Sequence, residues 1–325
     1  MKWIAGVVAV GVVAGVFLAS TFVQGVPRTA MADASAAESG NSAAMVGLAA
    51  GDIGLGVEAI VPAITMAPLP KIPVAGGPSF MQRFDEPLEN GGWYKADFVY
   101  ESQTQRAGWS KEHVIETGDE LVLKITREPK EFQPYTGAEI NRTKRYHYGR
   151  YQVVMRAAPG SGLVSSFFTH TDDYFGDPHN EIDFEFLGYD TAMVQLNFYS
   201  GNGNMQGHLV DLPYDAAKDY QLYTFDWMPD RIDWFIGDQH VFRATQASTG
   251  LKIPDRPSRL MMNLWSGSER QYNWHGKPTF ESGATASYRC VSYQAPGDNG
   301  SSQCSDWFEA SVPRLGEAEK ADAKH

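Results

Sequence analysis

Cysteine is nearly absent: the chain of 325 residues has only Cys290 and Cys304, both close to its C-terminal end. No Cys/His set with zinc-ligand spacing can be assembled from them, and the pair is not expected to serve as a metal site or a nucleophile. Basic residues are also scarce, 27 Lys and Arg against 39 Asp and Glu, which leaves a formal net charge of −12 and a pI near 5.1. They form no basic run, so nucleic acid is not expected as a partner. No internal repeat occurs, which argues against solenoid and propeller architectures. Long uncharged apolar runs are lacking too, apart from the first 23 residues, where Lys2 precedes a stretch reaching Val23. That stretch reads as an export signal, cleaved or kept as a membrane anchor, since it is about as long as the ~20 residues that span a bilayer. The protein is expected to be secreted, periplasmic or extracellular, with the N-terminal segment as its one candidate membrane tether. In an exported chain the two cysteines are expected to form a local disulfide.

What remains is organised in four parts: the export segment 1–25, an Ala/Gly/Pro-rich linker over 26–78, a folded domain over 79–295 and a tail over 296–325. The linker shows neither helical nor strand periodicity, although its stretch from Met45 to Ile64 is apolar enough to pack on something. Beyond Phe80 short aromatic and β-branched runs alternate with Gly, Pro, Asn and Asp, the texture of an antiparallel all-β domain. Strands are expected over 120–126, 150–156, 164–169, 181–186, 193–199, 222–227, 231–236, 241–244, 259–265 and 286–293, making a two-sheet sandwich. Gly237-Asp238, set between two β-rich runs, signals a hairpin.

The segment from Glu181 to Phe186 alternates strictly, so on a strand Ile182, Phe184 and Phe186 share one face while Glu181, Asp183 and Glu185 share the other. Three acids on one face with no Lys or Arg between them repel one another, which a merely structural strand has no reason to carry. Glycoside hydrolysis does have a use for such a set. Residues four apart on a strand lie ~13 Å apart at their Cα atoms, and side chains leaning inward bring two carboxyl groups to the ~5 to 6 Å of a retaining double displacement. Asp183 between them keeps like charges close and helps hold a proton on one neighbour.

The run Glu181-Ile182-Asp183-Phe184-Glu185-Phe186-Leu187-Gly188 resembles the active-site strand of glycoside hydrolase family 16, in the branch of licheninases, succinoglycan-type depolymerases and xyloglucan endotransglycosylases. The laminarinase branch carries one extra residue before the last Glu. The resemblance extends from about Phe80 to Tyr293 and includes Tyr148 to Tyr151, Ser165 to Thr169, Val194 to Tyr199 and Met261 to Trp265. It implies a concanavalin-like jelly-roll β-sandwich of two antiparallel sheets, no cofactor, and a polysaccharide as the partner of a monomer. By it Glu181 matches the nucleophile, Asp183 the helper acid and Glu185 the acid/base; Glu139, His179, Gln195, Asn197, Tyr199, Asn263 and Trp265 match substrate-binding positions.

The chain also departs from licheninases, with His179-Asn180 in place of a Trp before the acidic strand and Asn141 in place of an Arg. The position matching a calcium-binding acid is Arg289, so that calcium is not expected. The His170 to His179 segment, with two His and three Asp plus Gly176, Asp177 and Pro178, reads as a loop at the cleft edge rather than a metal site. Three activities fit: an endo-acting hydrolase of a β-1,3-1,4-glucan or a bacterial exopolysaccharide, a transglycosylase with the same chemistry, and a non-catalytic sugar-binding sandwich, which the intact acids oppose.

Overall fold

A computed structural model describes residues 64–201 and 203–311. The export segment, most of the linker and the end of the tail lie outside these residues. In chain order the described strands are β1 (Phe80–Arg83), β2 (Trp93–Lys95), β3 (Ala107–Trp109), β4 (Val114–Glu116), β5 (Leu121–Ile125), β6 (Tyr135–Tyr146), β7 (Gly149–Arg156), β8 (Leu163–Thr171) and β9 (Asn180–Leu187). They continue as β10 (Met193–Ser200), β11 (Gly203–Asn204), β12 (His208–Asp211), β13 (Gln221–Trp227), β14 (Arg231–Ile236), β15 (Gln239–Thr245), β16 (Ser258–Ser266) and β17 (Ala284–Gln294). Three short helices join them: α1 (Gln246–Thr249), α2 (Tyr272–His275) and α3 (Cys304–Ser311).

The strands form two antiparallel sheets, as expected. One has the order β15-β14-β13-β7-β17-β5-β4 with β1 on β17, the other β11-β10-β9-β8-β16-β6-β2 with β12 on β10 and β3 on β6. The β3–β6 contact alone is parallel. All ten expected strands are present within a residue or two, and the hairpin turns at Gly237, whose φ of 58° a side chain would resist.

Alternation on β9 puts Ile182, Phe184 and Phe186 into the space between the sheets, where all three are fully buried. Phe184 lies 5.5 Å from Tyr223 and 6.3 Å from Phe225 of the facing sheet, and Phe186 lies 4.8 Å from Tyr223. Cutting such a ring back to alanine costs about 3–5 kcal/mol. Two polar tips also cross the core: the Trp234 indole N–H donates to the Asp183 carbonyl at 3.2 Å, and the Tyr288 hydroxyl donates to the Ser166 carbonyl at 3.1 Å. These contacts fix the backbone of the acidic strand and its neighbour β8 from behind, so the opposite face is held in place.

The last part of the expected linker belongs to the domain. Leu69 is buried, the Ala67 carbonyl accepts from Arg150 at 2.9 Å, and the Gly77 N–H donates to the Arg145 carbonyl at 2.8 Å. Its lack of periodicity hid this, because an extended strap makes isolated contacts. The tail also contributes structure: Cys290 and Cys304 are bonded, and α3 lays Trp307 and Phe308 against Leu222 and Val154.

Candidate active site

Strand register assembles the site. Across β10, β9, β8, β16 and β6 one row of partners reads Tyr199, Glu181, His170, Arg259, Arg145. The next reads Asn197, Asp183, Phe168, Met261, Asn141, and a third Gln195, Glu185, Ser166, Asn263, Glu139. All three acids of β9 and six of the seven expected substrate-binding residues therefore lie on one sheet face. His179 joins from the residue before β9, and Trp265 extends the face beyond Asn263 on β16. Tyr199 and Trp265 are half-buried rather than core, as a wall exposed to a ligand requires.

Glu181 is held by two imidazoles. His170 Nδ1 and His179 Nε2 each lie 2.7 Å from the same oxygen, Oε2. His170 turns its other nitrogen toward Asp172 at 3.4 Å, and His179 stacks on Tyr199 with ring centroids 4.6 Å apart. Burial works to raise the Glu181 pKa, but the hydrogen bonds and charges of the two histidines outweigh it and hold the carboxyl well below the usual range. Burial conversely lowers His170, and its bonds to Asp172 and Glu181 overcome that and bring it to about 10, so the ring is an imidazolium at neutral pH. His170 and His179 with Glu181 have the donor types of a metal site, their ligand atoms all within 4.8 Å of one another. The N···O distances of 2.7 Å are those of direct hydrogen bonds, and the nitrogens meet the carboxylate itself. His179, expected to contact substrate, thus serves Glu181 first.

Glu185, four residues along, has the opposite surroundings. Burial and the charge of Glu181 push it up to about 8, against the single bond it accepts from Gln195 Nε2 at 3.1 Å. Gln195 is itself oriented by Trp274, whose indole N–H donates to its Oε1 at 2.9 Å. Asp183 is 2% exposed, its Oδ2 has no hydrogen-bond partner, and burial between two carboxyls raises it well above its ordinary value. Glu139, across the face, is pushed up to about 7 by burial, with Asn263 beside it acting the other way. One face therefore holds an ionised carboxylate at one end of β9 and proton-bearing carboxyls beyond it, the division of roles that acid-assisted displacement needs.

Sequence reasoning missed His170, Asp172 and Trp274. His170 has the parity of Ser166 and Phe168 on β8, so extending the strand one residue past its expected end would have put it on the acid face. Trp274 sits on a one-turn helix and left no periodic signal. A separate surface cavity of about 320 Å³, lined by Gln103, Arg106, Tyr135, Glu269 and Tyr272 among others, contains none of these acids.

The chain is similar in sequence and fold to known proteins. The family profile described as Glycosyl hydrolases family 16 matches residues 101–283. The beta-glucanase of Bacillus subtilis (strain 168) is 37% identical over 193 residues, 59% of this chain and 76% of that protein. A beta-glucanase of Acetivibrio thermocellus is 35% identical over 210 residues, 65% of this chain but only 61% of that longer protein. A crystal structure of a prokaryotic beta-1,3-1,4-glucanase (lichenase) from a mouse hindgut metagenome superposes with a TM-score of 0.63 at 35% identity, covering 67% of this chain and 99% of that one. With the fold, the acidic strand and the profile in agreement, the chain belongs to glycosyl hydrolases family 16, in its licheninase branch.

Proposed function

We propose that the protein is a retaining endo-β-glycanase that cuts a β-glucan-type polysaccharide by double displacement. The observation that carries this reading is the asymmetry along β9: one oxygen of Glu181 meets two imidazoles, which favour its carboxylate, while Glu185 meets only the Gln195 amide, and burial beside Glu181 favours its protonated form. Glu181 has one oxygen engaged by both imidazoles, which leaves the other to attack the anomeric carbon. As that bond forms, Glu185 gives its proton to the departing glycosidic oxygen. Glu185, now a base, takes a proton from water, whose oxygen displaces Glu181 and regenerates both groups in a product of retained configuration. Asp183, buried between them and raised well above its ordinary value, holds a proton that it can share with either neighbour and so supports the alternation of Glu185. Gln195, Asn197, Tyr199, Asn263, Trp265 and Glu139 offer amide, carboxyl and aromatic partners for sugar hydroxyls and C–H faces.

The disulfide and the apolar N-terminal run support action outside the cytosol. Among the described residues no helix is long and apolar enough to cross a membrane, and the N-terminal run lies outside them. Reducing-end release from lichenan, laminarin, xyloglucan and succinoglycan, with NMR of the first product formed, tests the proposal. Rapid cleavage of lichenan to β-anomers is expected; no cleavage of any of the four, or α-anomers first, refutes it.

A further inference from the structure

The row that contains Glu181 continues over β8 to His170, over β16 to Arg259 and over β6 to Arg145. Arg259 is thus two strands from Glu181, about 10 Å at the ~4.8 Å spacing of paired strands, on the wall that a glycan crossing the sheet would follow. Its neighbours account for the other charges. His170 is bound to Glu181 and Asp172. Arg145 pairs with Asp177 at 2.6 Å and donates to the Phe175 carbonyl at 2.8 Å. Arg259 has no carboxylate partner among the described residues. Its one hydrogen bond runs from Nη1 to Asn141 Oδ1 at 3.2 Å, and its Nε is buried without an acceptor. The guanidinium carbon lies 4.7 Å from the centre of the Phe175 ring, which that of Arg145 also approaches at 5.2 Å, so both cations share one aromatic face. Burial and the like charge of Arg145 both make this cation less favourable.

A half-buried guanidinium whose Nε is buried without an acceptor and which makes a single hydrogen bond, set beside a second arginine in a chain of net charge −12, is favoured by an anion that completes it. A planar fork of N–H groups is matched by a carboxylate, which it can bind through two bonds. We infer that Arg259, supported by Arg145 and Phe175, forms a subsite for a carboxylate-bearing sugar unit about two strand spacings from the point of cleavage, so that an acidic glycan is preferred to a neutral one of the same backbone. This inference rests on the proposed function and narrows its substrate.

The test reads binding without turnover, with every protein compared carrying Glu185→Gln so that the polymers are not cut. Lichenan is carboxymethylated or, as a neutral control of equal bulk and substitution, hydroxyethylated, and the full chain is run through native gels containing each polymer. The overall charge of −12 alone predicts weaker binding to the carboxymethyl polymer. The subsite predicts the reverse, a Kd about tenfold lower than for the hydroxyethyl polymer at low salt. In Arg259→Gln the ratio of the two Kd values should fall to about one or invert, and in Arg259→Lys, which keeps the charge but not the fork, it should be intermediate. Weaker or equal binding of the carboxymethyl polymer by the wild type, or a preference that survives both substitutions, overturns the inference while leaving the hydrolase reading intact. Absence of binding to either polymer likewise overturns the inference, while the hydrolase reading stands or falls on cleavage of the four polysaccharides.

Discussion

Replacing Glu185 by glutamine should make the protein more stable at neutral and alkaline pH while abolishing acid catalysis. Folding raises the Glu185 pKa from 4.5 to about 8 through burial and the charge of Glu181. The folded state therefore keeps a proton that the unfolded chain releases above pH 4.5, and stability declines as pH rises from there to about 8. At ~1.4 kcal/mol per pH unit that span sets a ceiling of ~5 kcal/mol above pH 8 and ~3 kcal/mol at pH 7. Asp183 and Glu181 share protons with Glu185 and readjust when it is gone, so roughly half of this is expected, on the order of 1–2 kcal/mol at pH 7. In a domain of this size that is a rise in Tm of about 3–6 °C. Glutamine retains an acceptor for the bond from Gln195 Nε2, so the isosteric change removes little else. Urea melts at pH 4, 7 and 8.5 would show a gain near zero at pH 4 that grows with pH. A variant that is less stable than wild type at pH 8.5, or a gain independent of pH, would refute the claim that this carboxyl is held protonated against its own tendency.

The same raised value makes kcat/KM fall as pH rises through about 8, because the acid must enter the reaction protonated; the low value of Glu181 keeps the acid limb below the usual carboxylate range. An alkaline limb starting below pH 6 in a kcat/KM profile would contradict this. His170→Gln removes the imidazolium that keeps Glu181 ionised, so the acid limb should move up in pH and kcat should fall more than tenfold, whereas a loss equal at every pH would indicate packing alone. Joint replacement of Cys290 and Cys304 by serine releases a loop closed over 14 residues, for a loss of about 3 kcal/mol in stability with little change in kcat measured well below the Tm.

The strand carrying the acids was legible because both of its faces obey one rule: Ile182, Phe184 and Phe186 go inward, and Glu181, Asp183 and Glu185 outward. β6 follows no such rule and was not foreseen, though with twelve residues it is the longest strand described. Its inward face includes Arg142, 3% exposed, whose charge is met by Glu89 at 2.7 Å and whose guanidinium covers Phe80 at 4.1 Å. Its outward face carries Glu139, Asn141 and Arg145 for the site, so polar residues occur at both parities and the alternation disappears. The partner of each acid was likewise not readable locally. His170 and His179 are nine positions apart with an Asp-rich loop between them, and only the β8–β9 register brings both rings to one oxygen.

Azide rescue of Glu181→Ala and Glu185→Ala, with an aryl β-glycoside bearing a very good leaving group, tests the assignment of roles most directly. Without Glu185 that leaving group needs no proton, the glycosyl-enzyme on Glu181 still forms, and azide should capture it as the β-glycosyl azide. Without Glu181 no covalent intermediate exists, hydrolysis should fall by several orders of magnitude, and azide entering from the vacated side should give the α-glycosyl azide. The opposite pairing of anomers, or near wild-type hydrolysis of polysaccharide by either variant, would contradict the account.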